Sequence, residues 1–222
     1  MKYIQSIKKI ASYIWDIPIE KTSSAHNEYL EVVWSNGRKM LNTREANFSF
    51  GNGYKVFAAA MKEIEAPIGN AQSTLVLGFG CGSILHLLEK KYNYTNLLVG
   101  VEYDPEILRL YQNHFSAAYK LKPELCSVDA QKFVATNEHS FDVVFVDLFH
   151  ELDNSPLLSS EVFLECLITN ITKEGVLVFN TTTKDKVGQD LVFELQMWLS
   201  SNFKTVTKTA FQEFNQILIA YN

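Results

Sequence analysis

After residue 73 the chain alternates short apolar runs with stretches whose apolar positions recur at helical spacing. The runs TLVLGF, NLLVGVEY, LCSVD, FDVVFVDLF and GVLVFN are nearly continuous in apolar residues, as strands are when helices cover both faces of their sheet. Helical stretches begin near Gly82, Pro105, Ala130, Ser160 and Lys186. Such alternation predicts an α/β domain with a doubly wound parallel sheet. The ending breaks the rhythm. FKTVTKTAF and NQILIAYN are two strand-like runs joined by a short turn around Gln212 to Asn215 with no helix between them. An antiparallel hairpin is therefore expected to close a Rossmann-like sheet of seven strands.

The first fifty residues follow a different pattern. EYLEVVWSNGRKML is two β-prone runs around Asn36-Gly37, a strong short-range hairpin signal because both turn residues must take positive φ. IPIEK just before it adds a third strand, and a short helix precedes that. Residues 53–64, GYKVFAAAMKEI, carry apolar positions at helical spacing, and APIGNAQS reads as a loop. The expected division is a small helix and antiparallel sheet over 1–52 and a Rossmann domain over 53–222.

Composition narrows the function classes only modestly. With 47% hydrophobic and 20% charged residues, the 222-residue chain has an ordinary globular balance and enough length for a substantial core. A net charge of −5, with lysines in scattered pairs, argues against tracking a phosphate backbone. No stretch approaches the roughly 20 apolar residues of a membrane span, and the opening MKYIQSIKKIASYIW does not read as a signal peptide. Cys81, Cys126 and Cys166 have no metal-ligand spacing and are odd in number, which is simplest as free thiols in a reducing cytoplasm. A cytoplasmic protein is expected, with a small-molecule acceptor as substrate, no metal, and no nucleic-acid or membrane partner. A homodimer is the expected assembly.

The candidate chemistry lies at the strand tips. Gly78-Phe79-Gly80-Cys81-Gly82 follows a strand and opens a helix at Ser83. Glycines there allow close backbone approach to a ligand, and the helix start offers N–H groups to a polar or anionic one. The second strand ends at Glu102, a position from which a carboxylate can accept both hydroxyls of an adenosine ribose. Asp104 before Pro105 reads as an N-cap. The third strand ends at Asp129, which either accepts from an adenine amino group or caps the next helix. The fourth ends at Asp147, followed by His150 and Glu151, whereas Asp142 starts that strand at the opposite edge. A carboxylate at the carboxyl edge can orient a nucleophile or take its proton. A histidine titrating near neutrality can do the same for an acceptor that must lose a proton.

The order of EYLEVVWSNGRKMLN, LVLGFGCGS, VGVEYDPEIL, VDAQKFV and FDVVFVDLFHELDNSPLLSSEVFLECL resembles spermidine synthase and its relatives, the polyamine aminopropyltransferases. These share the fold of class I S-adenosylmethionine-dependent methyltransferases. The resemblance implies that Glu102 holds the ribose, Asp129 the adenine, and Asp147 the reacting amine as catalytic base. Three motifs depart from the family. Its glycine run carries an embedded Asp, GGGDGG-like, where this chain has GFGCGS. Its loop reads Asp-x-x-Asp-Pro, where this chain has Asp147-Leu-Phe-His150-Glu151. Its Tyr-x-Glu motif after the N-terminal sheet is matched only by SFGNGYKVF.

Unpaired buried ammonium groups are costly, so the missing carboxylates shift the expectation away from a polyamine. With Cys81 in place of the Asp that pairs the aminopropyl ammonium, ordinary S-adenosylmethionine is the expected donor, its carboxylate meeting the helix N-terminus and Ser83. The expected function is a transferase that moves a methyl group to a small molecule through Gly78, Gly80, Cys81, Gly82, Ser83, Glu102 and Asp129, with Asp147 and His150 at the acceptor. Two alternatives stand beside it. One is an aminopropyltransferase using decarboxylated S-adenosylmethionine, with Glu151 or Asp153 supplementing Asp147. The other is a non-catalytic nucleoside-binding relative.

Overall fold

The computed structural model describes residues 2–44, 49–50, 52–150, 152–211 and 214–222, leaving aside the side chains of 2–6, 52, 53 and 150. Helix α1 (Lys2–Ala11) precedes a three-stranded antiparallel sheet of β1 (Ile17–Thr22), β2 (Leu30–Ser35) and β3 (Arg38–Asn42). Asn36 and Gly37 take φ of 48° and 75° in the β2–β3 turn, the left-handed pair that a two-residue hairpin needs.

Helix α2 (Asn52–Glu63) is followed at once by α3 (Glu65–Asn70), where APIGNAQS was expected to be a loop. Pro67 is tolerated because it sits in the first turn of α3, where a backbone N–H has no intrahelical partner to lose. Ile68 is buried and anchors the turn.

The main domain runs β4 (Ser73–Leu77), α4 (Ser83–Tyr92), β5 (Leu97–Glu102), α5 (Pro105–His114), β6 (Glu124–Ser127), α6 (Ala130–Thr136) and β7 (Phe141–Val146). A two-residue hairpin of β8 (Phe149–His150) and β9 (Asp153–Asn154) follows. Then come α7 (Glu161–Thr169), β10 (Ile171–Thr182), α8 (Lys186–Asn202), β11 (Thr205–Phe211) and β12 (Asn215–Tyr221). The seven-stranded sheet has the order β11-β12-β10-β7-β4-β5-β6. Pairings from β10 to β6 are parallel, and β12 is antiparallel to both β10 and β11. This is the α/β architecture expected, including the closing hairpin, though Gln212 and Glu213 of its turn lie outside the described residues.

The sheet is buried on both sides because its strands carry apolar side chains in both alternations. Val76, Phe145 and Val178 face Phe57 and Met61 of α2 and Leu85 of α4. Leu77, Val144 and Phe179 face Phe163 of α7 and Leu195 of α8. The chain starts the sheet at β4, builds outward through β5 to β6, then crosses back to β7. The order reverses between β4 and β7, and outside the carboxyl ends of such a pair lies the crevice in which sheets of this kind take their ligands.

The small sheet is tied to α5 by charge. Glu20 of β1 accepts from Arg109 at 2.5 Å and pairs with His114, while Thr22 donates to Glu106 at 2.8 Å. Lys39 of β3 donates to the His114 carbonyl at 2.7 Å. These ties bring the β1–β2 loop to the carboxyl end of β5.

Candidate active site

The glycine loop is held in a strained-looking path that its residue types make ordinary. Gly78, Gly80 and Gly82 have φ of 84°, 56° and 85°, a region that side-chain-bearing residues rarely occupy. At Gly78 there is a second reason for glycine. A Cβ there would lie 2.9 Å from the Asp147 carbonyl carbon and closer still to its oxygen. The Asp147 amide in turn donates to the Leu77 carbonyl at 2.9 Å. The tips of β4 and β7 are thus in backbone contact, and Gly78 of the glycine loop comes together with Asp147.

Between the glycines, Phe79 turns inward and forms an edge-on pair with Tyr111 at 4.9 Å. It occupies the space over Gly100, where any Cβ would collide with its ring. Cys81 also turns inward. Its side chain is 0% exposed, and its sulfur lies 3.9 Å from the Ile107 carbonyl. Burial, and then the Glu102 charge, push this thiol well above its ordinary pKa. The expectation that the Cys81 side chain decides the donor is therefore corrected: the thiol belongs to the core, not to the ligand face of the loop. Its amide donates to Ser49 at 3.0 Å. The Ser83 hydroxyl, expected to meet a donor carboxylate, accepts from the Phe50 amide at 2.9 Å and so joins the loop to the segment after the small sheet.

Glu102, only 3% exposed, ends β5 beneath this loop. Its carboxylate accepts from the Gly80 amide at 3.0 Å and from the Asp104 amide at 3.1 Å, one on each oxygen. A carboxylate has about four acceptor positions, so both oxygens keep capacity for a pair of hydroxyls. Desolvation pushes its pKa to about 7, against the amides of Asp104, Gly80 and Tyr103 that favour the charged form.

Asp104 is fully buried and does more than cap. One oxygen accepts from Glu106 N at 2.9 Å at the start of α5. The other accepts from Ser24 at 2.5 Å and Asn27 at 2.8 Å, fastening the β1–β2 loop over the β5 tip. Between them Tyr103 is 41% exposed, with His26 edge-on at 4.5 Å. Asp129 is exposed, and its side chain accepts from Lys132 N at 3.1 Å as the N-cap of α6, which leaves its other oxygen toward solvent. At the far edge, Asp142 accepts from Gln72 N, Ser73 N and Thr172, a clamp across strand starts and remote from the crevice.

Asp147 is the carboxylate at the crevice mouth. The Asn180 amide, at the matching end of β10, donates to it at 3.0 Å, and Asn215 of β12 approaches Asn180 at 3.4 Å. Burial pushes the Asp147 pKa up to about 6, with the Asn180 hydrogen bond acting the other way. Asn154 of β9 pairs twice with the Thr182 backbone, at 2.7 and 2.8 Å, and pins the β8–β9 hairpin beside this carboxylate. His150 lies in that hairpin by its backbone, but its side chain lies outside the described residues, as does Glu151. Asp153 is paired with Lys184 at 2.7 Å.

Asn180, Asn154 and the Ser24–Asn27–Asp104 tie escaped the sequence reading. Asn180 had a usable signal, because a polar NTTT ends an apolar strand at the same edge as Glu102 and Asp147. The other contacts join residues up to 80 positions apart, which no local pattern encodes.

Residues 55–215 match the spermine/spermidine synthase domain. The chain belongs to the spermine/spermidine synthase family. A probable polyamine aminopropyl transferase of Bifidobacterium longum is 26% identical over 179 residues, 75% of this chain but only 38% of that relative. The match thus spans less than half of the curated relative's length. Among solved structures, a probable spermidine synthase from Corynebacterium glutamicum superposes with a TM-score of 0.67 at 17% identity, over 93% of this chain and 77% of its own. A spermidine synthase in complex with the transition-state analogue AdoDATO gives 0.66 at 15% identity, over 92% and 73%. At these identities the superpositions speak to the fold. Within the spermidine synthase family, methyl transfer as the main expectation is not supported, and the aminopropyl alternative fits better.

Proposed function

We propose that this member of the spermidine synthase family is an aminopropyltransferase, with decarboxylated S-adenosylmethionine as donor and a small polyamine as acceptor. The observation that carries the reading is the desolvated Asp147 at the crevice mouth, in backbone contact with Gly78 of the glycine loop. An adenosyl group fits what surrounds it. Glu102 retains acceptor capacity for a ribose, Asp129 keeps a free edge for an adenine amino group, and Tyr103 offers an exposed ring. When bound, the donor supplies a carbon activated by a positively charged sulfur and a neutral leaving group.

The chain's own residues then have two tasks. The first is positioning, because attack on such a carbon depends mainly on holding the two reactants in line. The second is proton transfer. With a pKa near 6, Asp147 is mostly ionised at neutral pH. It can take the proton from the attacking amine, whose freed lone pair forms the new C–N bond as the C–S bond of the sulfonium breaks and neutral methylthioadenosine leaves. With Cys81 in the core, its thiol does not reach the donor, and what favours the decarboxylated donor is the match to the spermine/spermidine synthase domain and to polyamine aminopropyltransferases.

The test is transfer of label from decarboxylated S-adenosylmethionine to putrescine and spermidine, with methylthioadenosine as coproduct. The parallel assay uses S-adenosylmethionine labelled in its methyl group. Aminopropyl transfer that Asp147→Asn abolishes, with donor binding retained, supports the proposal. Methyl transfer alone would return the function to the methyltransferase reading, and binding without either product to the non-catalytic one.

A further inference from the structure

From Ile7 onward, the second half of α1 and the turn after it carry apolar side chains outward. Ile7, Ile10 and Ile14 recur at the three- and four-residue spacing of one helical stripe. They are 63%, 71% and 77% exposed, with Trp15 beside them at 63%. The turn after the helix is held to the small sheet by hydrogen bonds. The buried Ser12 accepts from Gly37 N through its hydroxyl at 3.0 Å and from Asn36 N through its carbonyl at 2.8 Å. The Tyr13 ring closes over Gly37, where a Cβ would strike it. The β2–β3 turn therefore grips the chain just after the helix, while Ile7, Ile10, Ile14 and Trp15 are left toward solvent. Amphipathic helices of globular proteins have the opposite mounting.

The charge around the stripe is one-sided. Lys2, Lys8 and Lys9 precede the first acid, Asp16, on a chain whose net charge is −5. Lys9 is exposed and Lys8 half-buried. Arg38, at the turn that grips the helix, is exposed as well. Helices that lie in a membrane interface combine an apolar stripe, lysines on the polar side, an aromatic residue at the boundary and low overall hydrophobicity. Two copies of α1 packed stripe to stripe would bring the lysines of both together with no acid in either helix to offset them. Anionic headgroups would offset them.

We infer that α1 is a docking surface for anionic lipid, by which the protein associates peripherally with a bilayer. This revises the expectation of no membrane partner, which rested on the lack of a spanning segment. The helix of 10 residues is suited to lying in the interface and is far too short to cross it. Because the turn after α1 is gripped by the small sheet, and none of the described residues of α1 is among the strand-tip residues of the candidate active site, docking would leave that site facing water.

The experiment is co-sedimentation of the full chain with vesicles of phosphatidylcholine alone and of phosphatidylcholine with phosphatidylglycerol. The expected result is partition to the anionic vesicles that raised salt reverses. Ile10→Asp with Ile14→Asp should reduce that partition by about tenfold or more, and Lys8→Gln with Lys9→Gln by several-fold. Both pairs sit outside the core, so an unchanged melting transition establishes that the fold is intact. The inference is overturned if the chain stays in the supernatant with anionic vesicles, or if the aspartate pair binds as well as the parent. It is equally overturned if light scattering finds a lipid-independent dimer that the aspartate pair converts to monomer, for then a second copy covers the stripe.

Discussion

Asn180→Ala tests whether the hydrogen bond at 3.0 Å sets the working pH of Asp147. Burial raises this carboxyl to about 6, and the Asn180 amide is the contact that lowers it. A hydrogen bond to a charged group contributes about 1.5–3 kcal/mol, and one pKa unit corresponds to ~1.36 kcal/mol. Its removal should therefore raise Asp147 by about 1–2 units, to roughly 7–8. At pH 7 the ionised fraction would fall from about nine-tenths to between a half and a tenth. The assay is the pH profile of kcat/KM for aminopropyl transfer. Its acid limb should move up by the same 1–2 units or so, while the plateau at high pH stays near that of the parent. A melting curve at each pH separates this from unfolding, because alanine also leaves a small cavity beside β12. An acid limb that does not move, or a loss equal at every pH, would refute the assignment of Asp147 as base with Asn180 as its positioning partner.

Gly78→Ala should destabilise the fold severely, by about 4 kcal/mol or more, because the methyl group meets the Asp147 carbonyl at a φ of 84°; denaturant unfolding or loss of soluble protein reads this. Cys81→Asp should unfold the chain rather than change donor preference, since it puts a carboxylate into a fully buried core position; a stable variant with altered donor choice would reverse the assignment of this side chain to the core. The two raised carboxyls should make thermal stability fall as pH rises from about 4.5 to 7, opposed by His86, whose pKa burial lowers from 6.5. Across that window the native state binds a proton on Glu102, raised to about 7 from 4.5, that the unfolded chain has released. Asp147, raised to about 6 from 3.8, acts in the same direction. Glu20, Glu89 and Glu106, whose pKa values are lowered, make stability fall only on acidification below their ordinary range. Calorimetry across this range that gave a melting temperature rising steadily toward pH 8 would contradict the buried state of Glu102.

What the sequence determined was the order of elements and the edge of the sheet that carries the chemistry. Continuous apolar runs specify strands buried on both faces, and the absence of a helix between the last two specifies the antiparallel closing hairpin. In a doubly wound sheet every strand's carboxyl end lies on one edge, so Gly78, Glu102, Asp129 and Asp147 could be assigned to one crevice from their positions in the runs alone. The Asn36-Gly37 turn was equally local, since positive φ at both residues is a property of the residues themselves.

Side-chain direction was decided only in three dimensions. Cys81 and Ser83 lie in the loop that the sequence marks, yet the three positive-φ glycines rotate the backbone between them. One side chain is sent into the core and the other to the Phe50 amide. Carboxylate chemistry was likewise tertiary. Glu102 and Asp129 are strand-tip acids of the same kind in sequence. One is sealed beneath the glycine loop with its pKa pushed to about 7, while the other caps a helix in water. The α1 stripe was written in the spacing of its isoleucines, but nothing local told which way it points. That followed from Ser12 meeting the amides of a turn more than twenty residues away, because hydrogen bonds between distant segments, not periodicity, orient a helix on its support.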